Sequence, residues 1–188
     1  MALGAEVTHH RFTVDDYHRM IDAGILTTND RVELIRGEIV EMAPIGPRHA
    51  GCVSALTYWL ITAAGDRAQL RPQLPVTLPP ESEPEPDIVL VCSRADFYRS
   101  AHPEAEDVLL VVEVSESSLR YDRRVTVPLY AEQGIREVWI VDLGGAAIEV
   151  YREPTAAGFR IVEHLTRGSS ISPSALPDIV LSVDDILG

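Results

Sequence analysis

The order of the predicted elements indicates an α/β fold with a mixed β-sheet core flanked by helices. Residues 108–114 are almost continuously apolar and rich in β-branched side chains, which is typical of a central strand that is covered on both faces. A helical segment from about Arg120 to Gln133, ended by Gly134, leads to a second apolar strand at residues 137–142. This strand-helix-strand order predicts a right-handed parallel crossover.

The first part of the chain predicts a helix, a hairpin and a longer helix. Residues 13–24 begin with an N-cap threonine and end with a glycine, as a short helix does. Residues 31–42 alternate apolar and polar side chains on either side of Arg36-Gly37, which predicts two antiparallel strands. Between His49 and Ala64, apolar residues recur at helical spacing, so this helix is expected to be mostly buried.

The remaining segments predict strands and a second hairpin. Residues 70–78 alternate like a strand, and a loop rich in proline and glutamate then delivers the chain into a strand at residues 87–91. Residues 147–151 and 159–163 predict a C-terminal hairpin, after which residues 176–187 close the fold. For 188 residues, 46% of them hydrophobic, we expect one domain over residues 1–188 with residues 1–11 frayed.

The composition narrows the classes of function. The formal net charge of −13 opposes nonspecific binding to DNA, so a nucleic-acid role requires a local basic patch. All 16 basic residues are arginines, and the sequence contains no lysine. Two cysteines, expected as buried thiols, are too few for a zinc cluster or a disulfide framework. No apolar run is long enough to cross a bilayer and no signal-peptide layout is present, which predicts a cytoplasmic protein without membrane contact.

Two carboxylates form the strongest candidate constellation. Asp87 lies at the start of one predicted strand and Glu113 near the end of the next. On adjacent strands, roughly 4.8 Å apart, both could hold one Mg²⁺ or Mn²⁺ ion, and a water on that ion could attack a phosphodiester. The alternative is that Asp87 caps its loop and that Glu113 lies where its strand reaches solvent.

The sequence resembles the Uma family of restriction endonucleases, which is assigned to the PD-(D/E)XK nuclease superfamily. The resemblance spans roughly residues 12–187. It depends on several short segments taken together: Glu33-Leu-Ile-Arg-Gly-Glu38, His49 at the start of the long helix, Pro86-Asp87-Ile88, Val112-Glu113-Val114-Ser115, Asp122 through Tyr130, and Gly134-Ile-Arg-Glu-Val-Trp-Ile-Val-Asp142. It implies a restriction-endonuclease-like fold and a metal-dependent nuclease.

The resemblance implies that Asp87 and Glu113 of this chain bind Mg²⁺ or Mn²⁺ and that the backbone carbonyl of Val114 contributes a further ligand. The superfamily places a lysine two residues after the glutamate, where Ser115 stands here. Many relatives place it four residues after the aspartate that matches Asp122, which is Thr126 here. Ser115 therefore marks a catalytic position without its usual side chain.

Other side chains are accessory candidates. Arg123 or Arg124 would neutralise phosphate charge, although a guanidinium is a poor proton acceptor. His49 could hydrogen-bond a metal-bound water or a phosphate, the alternative being a helix-terminal histidine that packs on backbone. Asp122 opens the family's helix motif, and Glu33 or Glu38 could supply an early acidic group, unless both face solvent.

The remaining aromatic and histidine residues are expected to have structural or surface positions. Trp139, Tyr130 and Tyr58 lie in apolar stretches, where core packing is the ordinary explanation. The other histidines fit no metal-ligand spacing and are expected at the surface: His9, His10, His18, His102 and His164.

Three functions are therefore expected alternatives. The first is a DNA endonuclease that uses Mg²⁺ or Mn²⁺, slowed or inactivated because the lysine is absent; losing one general acid or base lowers rates by ~10²–10⁴. The second is a catalytically silent binding or assembly module with a nuclease fold. The third, and weaker, is hydrolysis of a phosphoester other than nucleic acid.

Self-association as a homodimer, with pairing through the hairpin near residues 147–163, is also predicted.

Overall fold

The computed structural model describes residues 8–27 and 29–188, and their contacts form two compact units. One unit comprises Met1–Met42 and Leu78–Pro84, and the other comprises Ala43–Thr77 and Glu85–Gly188. Fraying was expected for residues 1–11; residues 1–7 lie outside the described residues, and for residues 8–11 it stays a prediction. The single domain stays a prediction.

The first unit contains the predicted helix and hairpin. Helix α1, Val14–Asp22, begins with a capping box in which the Asp16 N–H donates to Thr13 Oγ1 at 3.1 Å and the Thr13 N–H donates to Asp16 Oδ2 at 3.0 Å. Strands β1 (Val32–Ile35) and β2 (Glu38–Glu41) pair antiparallel. The two turn residues between them have φ values of 50° and 76°, as the tight turn of a hairpin requires.

The second unit is built on a six-stranded sheet. Helix α2 (Pro47–Ala64) precedes strands β3 (Ala68–Pro72), β4 (Ile88–Cys92) and β5 (Val108–Ser115). Strands β6 (Glu137–Asp142), β7 (Ala147–Thr155) and β8 (Gly158–Thr166) follow, and the spatial order is β3-β4-β5-β6-β7-β8.

Only the pair β5 and β6 is parallel, so the predicted mixed sheet, its parallel crossover and the C-terminal hairpin β7–β8 are confirmed. The main core lies on one sheet face, where buried side chains of α2 pack with Leu110, Val112 and Trp139. Strand β3 is shorter than predicted. It ends at Pro72 because Gln73 takes a left-handed conformation with φ of 50°.

The crossover helix is interrupted by a π-helical turn. Helix α3 (Leu119–Tyr121) runs into the π turn Asp122–Thr126 and then into α4 (Val127–Glu132). Pro128, in the first turn of α4, has no backbone N–H to donate to the preceding turn, which gives a local reason for the altered hydrogen bonding. π turns of this kind occur frequently at functional sites.

The C-terminal segment closes the second unit. Strands β9 (Ser170–Ile171) and β10 (Leu181–Ser182) pair antiparallel, and helix α5, Val183–Leu187, follows. Across residues 8–27 and 29–188, none of the helices has the length and apolar character that a membrane crossing would need.

Five side chains test the predictions of burial, and two of these predictions are wrong. Tyr130 and Trp139 are fully buried, as expected, but Tyr58 is 65% exposed because it lies on the outer face of α2. Cys52 is buried, whereas Cys92 is exposed because it ends β4 at the rim of the sheet.

Candidate active site

Asp87 and Glu113 meet at one end of two neighbouring strands. Asp87 immediately precedes β4, and Glu113 is near the end of β5. The Asp87 N–H lies 3.4 Å from Glu113 Oε2, and the Val114 N–H donates to Asp87 Oδ2 at 2.8 Å. The structure therefore brings the two carboxylates of the sequence analysis together.

Val114 also contributes its carbonyl to the same part of the sheet. In an extended strand the N–H and C=O of one residue point to the same side, so the Val114 carbonyl points, like its N–H, toward the strand that Asp87 opens. No three His, Cys, Asp or Glu side chains of the described chain are grouped to hold a metal ion. A cation at this site would therefore need the main-chain oxygen and water besides the two carboxylates.

Tyr130 fixes the Glu113 carboxylate from the crossover helix. Its hydroxyl donates to Glu113 Oε1 at 2.7 Å, and its side chain is fully buried against the sheet. The apolar surroundings of Tyr130 predicted only a core residue. A signal was present in the residue type, because a buried tyrosine hydroxyl requires a hydrogen-bond partner.

His49 contacts the other carboxylate. Its Nε2 lies 2.9 Å from Asp87 Oδ2, and both side chains are 15% exposed. This hydrogen bond raises the pKa of His49, while burial acts in the opposite direction. His49 Nδ1 is buried and has no hydrogen-bond partner among the described residues. The histidine is thus bonded to a carboxylate and does not merely pack on backbone.

Ser115 takes the place of the expected lysine and binds Asp122. Its hydroxyl donates to Asp122 Oδ2 at 2.5 Å, and Ser118 donates to the same oxygen at 2.8 Å. Burial raises the pKa of Asp122, and these two hydrogen bonds oppose the rise. Thr126, at the other expected lysine position, is buried and donates from Oγ1 to the Asp122 carbonyl at 3.1 Å.

The arginine candidates lie on the π turn. Arg123 Nε donates to Glu149 Oε1 at 3.0 Å and to Oε2 at 3.1 Å, so its charge is used by a buried glutamate on β7. Arg124 is exposed. A third arginine, Arg48, precedes His49 in α2 and lies 3.7 Å from Glu116 Oε1, an ion pair that the sequence did not suggest.

Glu33 and Glu38 belong to the first unit. Glu33 is in β1, opposite Val40. Glu38 opens β2, is exposed and forms an ion pair of 2.9 Å with Arg11. Their role at the active site stays a prediction.

Comparison with known proteins identifies both a family and a fold. A family model described as "Uma2: Putative restriction endonuclease" matches residues 14–184. A crystal structure described as a "putative nuclease belonging to DUF820", from Anabaena variabilis, superposes with a TM-score of 0.74 at 16% sequence identity and covers 94% of this chain and 97% of its own. No curated protein matches the sequence. The restriction-endonuclease-like fold of the prediction is confirmed.

Proposed function

This chain belongs to the Uma2 family, and we propose that it is a DNA endonuclease that cleaves phosphodiester bonds with Mg²⁺ or Mn²⁺ bound at Asp87 and Glu113. Nucleases of the restriction-endonuclease-like class generally use divalent metals. The observation that carries the proposal is the meeting of Asp87, Glu113 and the Val114 main chain at one end of β4 and β5.

The donor set fits such an ion chemically. Asp87, Glu113 and the Val114 carbonyl would hold it, and all three offer oxygen, the ligand type that Mg²⁺ and Mn²⁺ prefer. Mg²⁺ also keeps several of its waters, which agrees with a site of only two carboxylates. When bound, the ion supplies charge stabilisation and a water of lowered pKa.

The surrounding residues hold these ligands in place. The Val114 N–H and His49 Nε2 both engage Asp87 Oδ2, which fixes the orientation of that carboxylate. The Tyr130 hydroxyl, which comes from α4, fixes the orientation of the Glu113 carboxylate. Removing a supporting hydrogen bond of this kind typically lowers metal affinity or activity by ~10–100-fold.

No lysine is available to activate water or to offset charge on the phosphate. His49 is the group in direct contact with the carboxylate pair that can accept and release a proton near neutral pH. Because a carboxylate oxygen only accepts, Nε2 carries the proton that it donates to Asp87 Oδ2, and we assign uptake of a second proton to Nδ1, which has no hydrogen-bond partner among the described residues. Arg48, next to it in α2 and 63% exposed, would supply part of the positive charge that lysine provides elsewhere.

One observation favours a second candidate function, a catalytically silent module. Both positions where the family carries lysine hold small hydroxyl residues that are buried and bonded to Asp122. Such a protein would keep the fold, and its self-association would not depend on Asp87.

Calorimetric titration of Mn²⁺ into the wild-type protein and into Asp87→Ala tests the metal site. We expect saturable binding that is lost in Asp87→Ala. Asp66→Ala removes a carboxylate that is exposed, near the end of β3 away from Asp87, and is expected to bind like the wild type. Equal isotherms for all three proteins would disprove the site.

Cleavage of duplex DNA and of bis(p-nitrophenyl) phosphate then separates the functions. The endonuclease proposal predicts Mg²⁺- or Mn²⁺-dependent cleavage of DNA that Asp87→Ala abolishes. Metal binding with no cleavage of either substrate would identify the silent module, and cleavage of only the small diester would identify a different phosphoesterase.

A further inference from the structure

Arg71 is a guanidinium for which the described residues provide no carboxylate. It lies on β3, an edge strand, and its side chain is half-buried. Its Nε is buried and has no hydrogen-bond partner within the described chain. Arg94 and Arg152, which are also half-buried, both pair with acids. Arg71 therefore keeps an uncompensated charge and an unused donor, and both are costly to bury.

The ring of Tyr98 fixes the position of Arg71. The guanidinium carbon of Arg71 lies 5.4 Å from the ring centre, and that of Arg94 lies 4.4 Å from it. Arg94 is neutralised by Asp96, whose carboxylate also accepts the Tyr98 N–H at 3.3 Å. Burial and the nearby carboxylate of Asp107 raise the pKa of Tyr98 to about 12, and burial lowers the pKa of Arg71.

The backbone under this ring is held in an unfavourable conformation. Phe97 and Tyr98 both have left-handed φ values, 54° and 56°, which bulky residues rarely adopt. The hydroxyl of Tyr98 anchors the ring by donating to the Cys92 carbonyl at 2.9 Å. Strain of this kind occurs at ligand-binding sites, where it positions side chains before the ligand arrives.

His102 lies beside Arg71 and accepts a hydrogen bond from it. Its Nδ1 lies 3.5 Å from Arg71 Nη2, and its segment is attached by a hydrogen bond of 2.9 Å from the Thr77 N–H to the Pro103 carbonyl. His102 is half-buried, so the prediction of a surface position was only partly right. Because Arg71 Nη2 can only donate, Nδ1 accepts and the neutral imidazole carries its proton at Nε2. The guanidinium and this imidazole N–H are both donors, and a phosphate group offers several acceptor oxygens.

The register of the sheet relates Arg71 to the active site. Arg71 is opposite Val89, and Val89 is opposite Val111. Glu113 follows Val111 by two residues, so its side chain leaves the same face of the sheet. Two strand spacings separate Arg71 from Glu113, a distance on the order of 10 Å, which a polynucleotide strand spans within a few nucleotides.

We infer that Arg71 and His102 bind a phosphate group of the nucleic-acid strand, a few nucleotides from the phosphodiester at Asp87 and Glu113. This inference rests on the proposed nuclease function. It supplies the local cationic site that a chain of net charge −13 needs to bind DNA. Because the contact is to phosphate, it contributes affinity and position without reading sequence.

Fluorescence anisotropy of a labelled 20-base-pair duplex in EDTA tests the inference without cleavage. Arg71→Met keeps the side-chain stem on Tyr98 and is expected to weaken binding roughly tenfold, as loss of a charge-assisted hydrogen bond would. The slope of log K against log salt should fall by about one. His102→Gln should weaken binding by a smaller factor.

Arg136→Met is the matched control, because Arg136 is exposed just before β6, at the end of that strand opposite to the active site. It should change affinity less than twofold. Equal losses for Arg71→Met and Arg136→Met, or no duplex binding by the wild type in EDTA at low salt, would overturn the inference. If Arg71→Met fails to fold, Arg71→Lys is compared with Arg136→Met in the same way. An intermediate loss of DNA affinity is expected for Arg71→Lys, because the positive charge remains but the planar guanidinium is gone.

The same proteins separate this inference from the nuclease proposal. DNA binding that depends on Arg71, together with no cleavage in Mg²⁺ or Mn²⁺, would support the phosphate site and disprove the nuclease proposal. Cleavage that depends on Asp87, together with unchanged DNA binding in Arg71→Met, would support the nuclease proposal and disprove the phosphate site.

Discussion

Two groups of largely buried carboxylates, on the six-stranded sheet and beside it, are stabilised in different ways. Glu137 and Glu149, on β6 and β7, each bind an arginine. Asp87 and Asp122, in contrast, are bonded to a histidine, to hydroxyls and to a backbone N–H. The first group is neutralised permanently by the protein itself, and the second is not.

This difference separates structural carboxylates from candidate ligands. Glu137 accepts hydrogen bonds from Arg152, from the Trp139 indole at 2.8 Å and from the Ser174 N–H at 2.6 Å, so both of its oxygens are used. A carboxylate without a permanent cation keeps its capacity to bind one from solution. The type of counter-group, rather than burial alone, therefore distinguishes the candidate ligands from the structural carboxylates.

The largest expected effect is on the arginine-paired group. Arg152→Met leaves Glu137, which is fully buried, without its cation and should destabilise the protein by about 3–5 kcal/mol. Denaturant unfolding measures this loss. Arg160→Met breaks an exposed pair with Glu153 and should cost less than about 1 kcal/mol. Similar losses for both variants would show that Glu137 does not depend on its arginine.

Removing a support of a candidate metal ligand should affect metal binding more than stability. Tyr130→Phe deletes the hydroxyl that orients Glu113 and should weaken Mn²⁺ binding about 10–100-fold, measured by calorimetry. Tyr58→Phe deletes an exposed hydroxyl and serves as the control. Unchanged Mn²⁺ affinity in Tyr130→Phe would mean that this hydroxyl has only a structural role.

Sequence patterns predicted the sheet but not how its carboxylates are supported. Apolar runs at residues 108–114 and 137–142 identified β5 and β6 because a doubly covered strand needs continuous apolar character. The sequence placed Asp87 at the start of one strand and Glu113 near the end of the next, and this was enough to predict that the two carboxylates lie close together. Strand β3 was predicted too long, because alternation continues past the left-handed Gln73.

The supporting contacts could not be predicted, because they join distant segments through side-chain geometry. The bond from Tyr130 to Glu113 depends on the rotation of α4 after the π turn, and hydrophobic periodicity does not encode that turn. In the sequence, Arg71 is one of the polar residues of an alternating segment, and nothing distinguishes it from an ordinary strand residue. Its lack of a carboxylate partner is visible only when the neighbouring chain segments are in place.

The two groups should also respond to pH with opposite signs. Burial alone would raise the pKa of Glu149, but hydrogen bonds from Arg123 and Tyr151 outweigh it and lower the pKa below the ordinary 4.5. Glu149 therefore contributes stability above pH 4.5 that is lost as the pH falls through its lowered pKa. Glu149→Gln should be less stable than the wild type at neutral pH and should approach it in acid.

Asp122 should behave in the reverse way. Burial raises its pKa above the ordinary 3.8, so its ionised form costs stability at higher pH and that cost disappears as the pH falls below 3.8. Asp122→Asn should be more stable than the wild type at neutral pH, and the difference should vanish in acid. Thermal unfolding across this pH range measures both variants, and slopes of the same sign would contradict the division into two groups.

The smallest expected effect comes from one hydroxyl at Asp122. Ser118→Ala removes one of the two donors to Asp122 Oδ2 and should cost about 0.5–1.5 kcal/mol of unfolding free energy. Because that hydrogen bond lowers the pKa of Asp122, its loss should raise this pKa further, which a carboxyl-carbon NMR titration can follow. Ser117→Ala, at an exposed neighbour, should leave both quantities unchanged. An unchanged Asp122 pKa in Ser118→Ala would mean that Ser115 alone holds this carboxylate, and the contrast with the arginine-paired glutamates would then rest on a single hydroxyl.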